Sequence, residues 1–140
     1  MASYHFHLTQ VKRSRGQSVI AQVAYRAGEK LYSTYYGESS DFTRKRGVVM
    51  AEICLPDHAP REYADRETLW NTLERAEHGR KAQLAHSFDI TLMNEFSMEE
   101  NIEMARAFVR EELVSRGMIA DFAIHDPIRP KGAEPNPHIH

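Results

Sequence analysis

Between Leu84 and Met93 the chain alternates without a break. Leu84, His86, Phe88, Ile90 and Leu92 stand against Ala85, Ser87, Asp89, Thr91 and Met93. Side chains on a strand change face at every residue, so a period of two dictates a β-strand here. The first set is largely apolar and belongs on a core face, which puts Asp89 on the opposite one. The flanking segments carry the other period. Ser97-Met98-Glu99-Glu100 is a capping box, in which the serine and the glutamate three residues on satisfy each other's backbone N–H groups. It opens a helix to about Arg116, with Ile102, Ala105, Phe108, Val109 and Leu113 as its core face and Gly117 just past its end. A second helix, from about Arg66 to Gln83 or slightly earlier, carries Leu69, Trp70, Leu73 and Ala76, with Arg80 and Lys81 near its end. Ser18 caps a third, from about Val19 to Leu31, whose apolar stripe is Ile20, Val23, Ala24, Ala27 and Leu31.

Further strands are expected at residues 3–12, Val48–Leu55, Met118–Asp126 and His138–His140, with residues 32–47 irregular and Asp57–Arg66 a loop. The order is β-α-β-α-β-α-β-loop-β. That order predicts an α/β (α+β) sandwich of about five strands, in an antiparallel or mixed sheet with flanking helices. At 140 residues the chain is one domain with its own core. No segment is of membrane-spanning length, and Met1–His7 lacks the apolar stretch of a signal peptide. The single cysteine, Cys54, excludes an intrachain disulfide and is expected as a buried thiol. The expected location is cytoplasmic. A net charge of −2 argues against a protein that coats nucleic acid non-specifically, but leaves room for a local basic groove.

His138 and His140, two residues apart on a strand, point the same way. The Pro- and Gly-rich stretch Pro127–Pro137 turns the chain back so that the strand of His125 lies beside them. His125 shares its face with Asp121 and Ala123, while Phe122 and Ile124 take the other. Three imidazoles facing one point suit a divalent metal that keeps positions open for a substrate oxygen. His5-Phe6-His7 repeats the pattern but lacks a third histidine across a hairpin. It reads as sheet histidines, in reach of a bound polymer, and His58, His78 and His86 as surface or packing residues. Tyr25 lies about 140° around its helix from the stripe centre. It either packs half-buried or acts on something outside the core, and on spacing alone packing is the plainer reading. Arg13 and Arg15 precede the Tyr25 helix, Arg26 adjoins the tyrosine, and Arg44, Lys45 and Arg46 form a short cluster. Solvated charge is the plainer reading of each alone.

Several motifs recur in one order: Gly16-Gln17-Ser18, Ala24-Tyr25-Arg26-Ala27-Gly28-Glu29, Asp41-Phe42-Thr43-Arg44-Lys45 with Gly47-Val48, Ala123-Ile124-His125, and Asn136-Pro137-His138-Ile139-His140. With these the chain resembles, over essentially its whole length, the MobA/MobL-type relaxases of the MobQ class, within the HUH endonucleases. The resemblance implies a ferredoxin-like or RRM-like palm with a central antiparallel sheet. It implies an enzyme that nicks one DNA strand at a plasmid origin of transfer and later rejoins it. Tyr25 would be the nucleophile, and His125, His138 and His140 the ligands of Mg²⁺ or Mn²⁺. The substrate would be single-stranded or hairpin DNA, with Arg13, Arg15, Arg26, Arg44, Lys45 and Arg46 as candidates to meet it and Tyr32, Tyr35 and Tyr36 to stack on its bases, and with accessory relaxosome proteins and a coupling protein as partners in a bacterial cytoplasm. Where such relaxases carry a Glu-aromatic-Glu strand, this chain has Ser87-Phe88-Asp89. Asp89 could orient a ligating histidine, assist Tyr25 or simply be solvated, with Glu95 a second candidate. Relaxases of this type continue past the histidine pair, so residues 1–140 are expected to be one relaxase domain of a longer protein. His140, as the last residue, is expected to fray. A rolling-circle replication initiator or transposase of the HUH type, and a non-catalytic DNA-binding module, are the alternatives. A tyrosine ahead of the histidine pair favours the relaxase arrangement.

Overall fold

A computed structural model of the chain describes residues 5–16, 18–77 and 79–140. Tyr4 at the start of the first expected strand, Gln17 of the first motif, His78 and the side chain of Arg15 lie outside that description. The chain runs β1 (Phe6–Lys12), α1 (Val19–Ala27), β2 (Lys30–Ser33), β3 (Glu38–Asp41), β4 (Val48–Cys54), α2 (Arg66–Ala76), β5 (Gln83–Thr91), α3 (Met98–Phe108), β6 (Ala120–His125) and β7 (His138–Ile139). Five strands form one sheet in the order β1-β5-β7-β6-β4, with every neighbouring pair antiparallel. This is the expected palm, and β7, the shortest strand, lies at its centre.

The register of β7 fixes everything that follows. Ile139 pairs with Ile90 of β5 on one side and with Ile124 of β6 on the other. Paired residues in an antiparallel ladder share a face. The three isoleucines therefore lie together on one side, packed with Phe122, Ala105, Val109 and Leu92 beneath α3. One residue along, His138 pairs with both Thr91 and His125, and this row belongs to the opposite face. A slip of one residue would exchange the two rows, so burying the isoleucines is what turns the histidines outward. His140 does not fray: its N–H and C=O are both bonded to Ala123, each at 2.9 Å.

The histidine face carries α1 and α2. Val19, Ile20, Val23 and Ala24 of α1 are buried against Val11, Leu84 and Leu31, with Trp70 and Leu73 of α2 packed alongside. Ser18 caps α1 as expected, accepting from Ala21 N at 3.1 Å. The helix stops earlier than its apolar stripe suggests, because Gly28 adopts a left-handed conformation with φ 67°. A Cβ there would also come within 3.3 Å of Val48 Cγ2. Leu31 still reaches the core, but from β2, which pairs with β3 in a hairpin. That hairpin occupies part of the stretch expected to be irregular. α2 ends at Ala76 rather than near Gln83. The cation at its C-terminus is Arg13, which donates to the carbonyls of Glu74 and Glu77 at 2.7 Å each. Arg80 and Lys81 are exposed beyond it. The capping box of α3 forms as expected, but after Phe108 the helix widens into a π-turn and closes with a 3₁₀ turn at Val114–Arg116.

On β5, Leu92 is buried beneath α3, but Leu84 is buried on the histidine face with Val11 and Val23, as is Ser87, while His86 is exposed. The strict alternation fails because the β1–β5 register shifts between Val11 and Lys12, which pair with Ala85 and Gln83 and leave Leu84 as an extra residue, and because both sheet faces are covered over the centre. Cys54 is half-buried on β4, and burial raises its thiol pKa. No helix among the described residues is long and apolar enough to cross a membrane.

Candidate metal centre and nucleophile

β6 supplies His125 and β7 leads through His138 to His140. Each imidazole offers one nitrogen to a common point, and these three nitrogens lie within 4.8 Å of one another. The ring centroids are 4.6 Å apart for His125–His140 and for His138–His140, and 5.6 Å for His125–His138. What suits these rings to hold a metal is that each also has a nitrogen bonded to an oxygen. His125 Nε2 donates to the backbone carbonyl of Arg26 at 2.6 Å. His138 Nδ1 donates to the carbonyl of Asn136 at 2.8 Å. His140 Nδ1 donates to Asp89 Oδ1. The acceptors are a carbonyl, a carbonyl and a carboxylate, so the rings must be the donors. A neutral imidazole that gives its one N–H to an oxygen keeps a lone pair on the other nitrogen, the arrangement found around protein-bound metals.

Burial favours the neutral form of two of the rings. His125 is only 5% exposed, and its pKa is pushed down to about 4, chiefly by loss of solvent. Burial also lowers the pKa of His140, opposed by the neighbouring Asp89. Three imidazole nitrogen donors, with an oxygen acceptor on the other nitrogen of every ring, fit a divalent transition-metal ion.

Tyr25 lies on the outward face of α1, 51% exposed, one residue from the carbonyl that holds His125. Its ring is met edge-on by Phe42, with centroids 5.3 Å apart and planes at 89°. Lys45 Nζ lies 3.3 Å from the ring centroid and donates to the Tyr25 carbonyl at 3.0 Å. Burial lowers the Lys45 pKa, with Arg26 adding repulsion. Arg26 itself turns inward. Its guanidinium donates to Ser87 Oγ at 2.5 Å and stands 3.9 Å from Asp89 Oδ1. Ser87, where an acidic residue was expected by resemblance, is thus an acceptor for Arg26.

The structure therefore brings Tyr25, Arg26, Asp89 and the three histidines to one region. Glu95 is exposed in the turn after β5. His5 and His7 are exposed and stacked, with centroids 6.1 Å apart. His7 pairs with Asp89 across the β1–β5 ladder, at the margin of the centre. His58 and His86 are exposed. Among the basic candidates, Arg13 is committed to the end of α2 and stacks 4.2 Å over Tyr35. Arg44 and Arg46 are exposed on either side of Lys45. Tyr32, Tyr35 and Tyr36 stand exposed on the β2–β3 hairpin. Sequence reasoning missed the second-sphere acceptors Arg26 O and Asn136 O, because a backbone carbonyl leaves no trace in residue identity. It also missed a buried support at the base of α2. There Arg66 binds Asp121 through Nε and Nη2 at 2.9 Å each and Glu29 through Nη1 at 2.6 Å, while Trp70 Nε1 donates to Asp121 at 2.7 Å.

Residues 17–140 match the model of the MobA/MobL family. The chain is 34% identical, over its whole length, to the "Probable mobilization protein MobA" of Bifidobacterium longum, of which it spans 24%. It is 37% identical, again over its whole length, to the "Conjugal transfer protein TraA" of Rhizobium radiobacter, of which it spans 13%. A chain from the solved structure "Molecular Basis of Vancomycin Resistance Transfer in Staphylococcus aureus" superposes with a TM-score of 0.85 at 34% identity. That match covers 99% of this chain and 69% of the other.

Proposed function

Because the chain belongs to the MobA/MobL family, we propose that it is the relaxase domain of a mobilisation protein, nicking one DNA strand at an origin of transfer. The observation that carries this reading is the convergence of three histidine nitrogens beside the helix turn that bears Tyr25. Tyr25 is the nucleophile: its oxygen bonds to phosphorus as the P–O3′ bond breaks, leaving a 5′-phosphotyrosyl link and a free 3′-OH. The phenolic proton is given up and the departing 3′ oxygen takes one, so the step consumes no net proton. The bond energy is kept in the phosphotyrosyl link, so the 3′-OH of a transferred strand can reverse the step and reseal it.

His125, His138 and His140 would hold a divalent ion, whose chemistry there would be to polarise the scissile phosphate. The imidazole donors suit Mn²⁺ better than Mg²⁺, whose preference is for oxygen. Asp89 holds the His140 ring, and Arg26 holds both Asp89 and, through its carbonyl, the ring of His125. Arg44 and Arg46 contact the phosphates of single-stranded or hairpin DNA, and accessory relaxosome proteins and a coupling protein complete the transfer complex. The test is cleavage of an origin oligonucleotide with Mn²⁺. Wild type forms a covalent protein–DNA adduct and Tyr25→Phe forms none. Cleavage with an unchanged adduct in Tyr25→Phe removes the nucleophile assignment. Wild type that binds single strands but never forms an adduct on them makes this a binding module.

A further inference from the structure

The loop between β3 and β4 is folded tightly onto the tyrosine. Asp41 Oδ1 accepts from Thr43 N at 3.0 Å and from Thr43 Oγ1 at 2.7 Å. Phe42 N donates to Glu29 O at 3.0 Å, and Lys45 N donates to Phe42 O at 3.0 Å. These bonds bend the chain so that two side chains three residues apart, Phe42 and Lys45, both reach the ring of Tyr25. A tyrosine half exposed on a helix face has other staggered wells open to it. Here an aromatic edge and a cation select one of them. The flanking cations differ from Lys45, for Arg44 and Arg46 are exposed. The Lys45 ammonium is instead committed twice, to the face of the ring at 3.3 Å and to the Tyr25 carbonyl at 3.0 Å. A cation seated over a phenol face is held by the ring's quadrupole, and the attraction grows if negative charge enters the ring.

We infer that Lys45 is a positioning residue for Tyr25 rather than a phosphate contact, its ammonium fixing the phenol ring and offsetting the charge that spreads into it as the hydroxyl attacks phosphorus. The inference rests on the reading of Tyr25 as the nucleophile. It assigns Asp41-Phe42-Thr43-Arg44-Lys45 a split duty. Asp41 and Thr43 shape the bend, Phe42 and Lys45 clamp the tyrosine, and Arg44 faces solvent.

Lys45→Met keeps the length of the side chain and removes the charge, and Lys45→Arg restores a cation able to stack and to donate. Three measurements on both variants decide the matter: affinity for an origin oligonucleotide, the single-turnover rate of adduct formation with Mn²⁺, and the NMR shifts of the Tyr25 ring. Lys45→Met should bind the oligonucleotide as wild type does, form the adduct about tenfold more slowly, and show displaced Tyr25 ring resonances. Lys45→Arg should recover most of the rate. A Lys45→Met variant that reacts at the wild-type rate overturns the inference. So does one whose loss lies wholly in affinity, or whose Tyr25 resonances do not move. If wild type itself forms no adduct, it is the relaxase reading that fails, and the ring resonances still report whether Lys45 holds the tyrosine.

Discussion

Removing the Asp89 carboxylate should weaken metal binding in two graded steps. The His140 ring is held by a bond from Nδ1 to Asp89 Oδ1, which leaves Nε2 free to ligate. Asp89→Asn keeps an oxygen that can accept that bond but removes the charge that strengthens it. It also leaves Arg26, 3.9 Å away and mostly buried, with Ser87 as its remaining side-chain acceptor. Asp89→Ala removes the acceptor altogether and frees the ring to turn. Loss of a second-sphere partner typically costs 10–100-fold in metal affinity. The asparagine variant should lie near the low end, about tenfold or roughly 1.4 kcal/mol, and the alanine variant near the high end, about 100-fold or roughly 2.7 kcal/mol. Isothermal titration of metal-stripped protein with Mn²⁺ at pH 7.5 measures both. Folding should be little affected, since the Asp89 side chain is part-exposed. If both variants bind Mn²⁺ as wild type does, the carboxylate does not orient the ligand. If asparagine is worse than alanine, the ordering by hydrogen bonding is wrong.

Three predictions concern the frame that holds the centre. Arg66→Met leaves Asp121, itself nearly buried, with Trp70 as its remaining side-chain donor. It should cost about 3–5 kcal/mol in urea unfolding, as expected for breaking a buried pair from one side. Gly47→Ala places a methyl 3.0 Å from Asp126 O at a residue with φ 86°, where Gly47 O accepts from Asp126 N and joins the start of β4 to the end of β6. It should lower stability by about 1–3 kcal/mol, read as a drop in Tm. Asp65 caps α2 by accepting from the N–H and hydroxyl of Thr68, and these bonds hold its carboxyl below its usual 3.8. A folded pKa below the unfolded one adds stability that is present above pH 3.8 and is lost as the pH falls through the folded value. Asp65→Ala should therefore cost about 1 kcal/mol at pH 7 and progressively less below pH 3.8 in matched urea titrations.

The histidine triad was legible in the sequence because it depends only on parity and adjacency. Alternation put His138 and His140 on one face, and the Pro127–Pro137 connection put His125 beside them. The buried isoleucine row on the other face then leaves the register no freedom. Tyr25 was legible as a residue off the apolar stripe, but its environment was not. The clamp comes from a loop 17–20 residues away, in a stretch whose polar, strand-poor composition hid the β2–β3 hairpin as well. The ends of α1 and α2 were missed for a related reason. Leu31 continues the helical spacing although it sits on a strand, and only the left-handed turn at Gly28 separates the two. The basic residues were the least legible. Arg13, Arg26 and Lys45 read alike as cations near a tyrosine, yet one closes a helix, one braces a carboxylate and one sits on an aromatic ring. Long flexible side chains reach partners that local sequence does not specify.

Anomalous diffraction from Mn²⁺-soaked crystals tests the central claim most directly. The account predicts a single strong peak about 2.2 Å from one ring nitrogen of each of His125, His138 and His140, on the same side of the sheet as Tyr25. No peak at that point under saturating Mn²⁺, or a peak held instead by His5 and His7, would contradict it.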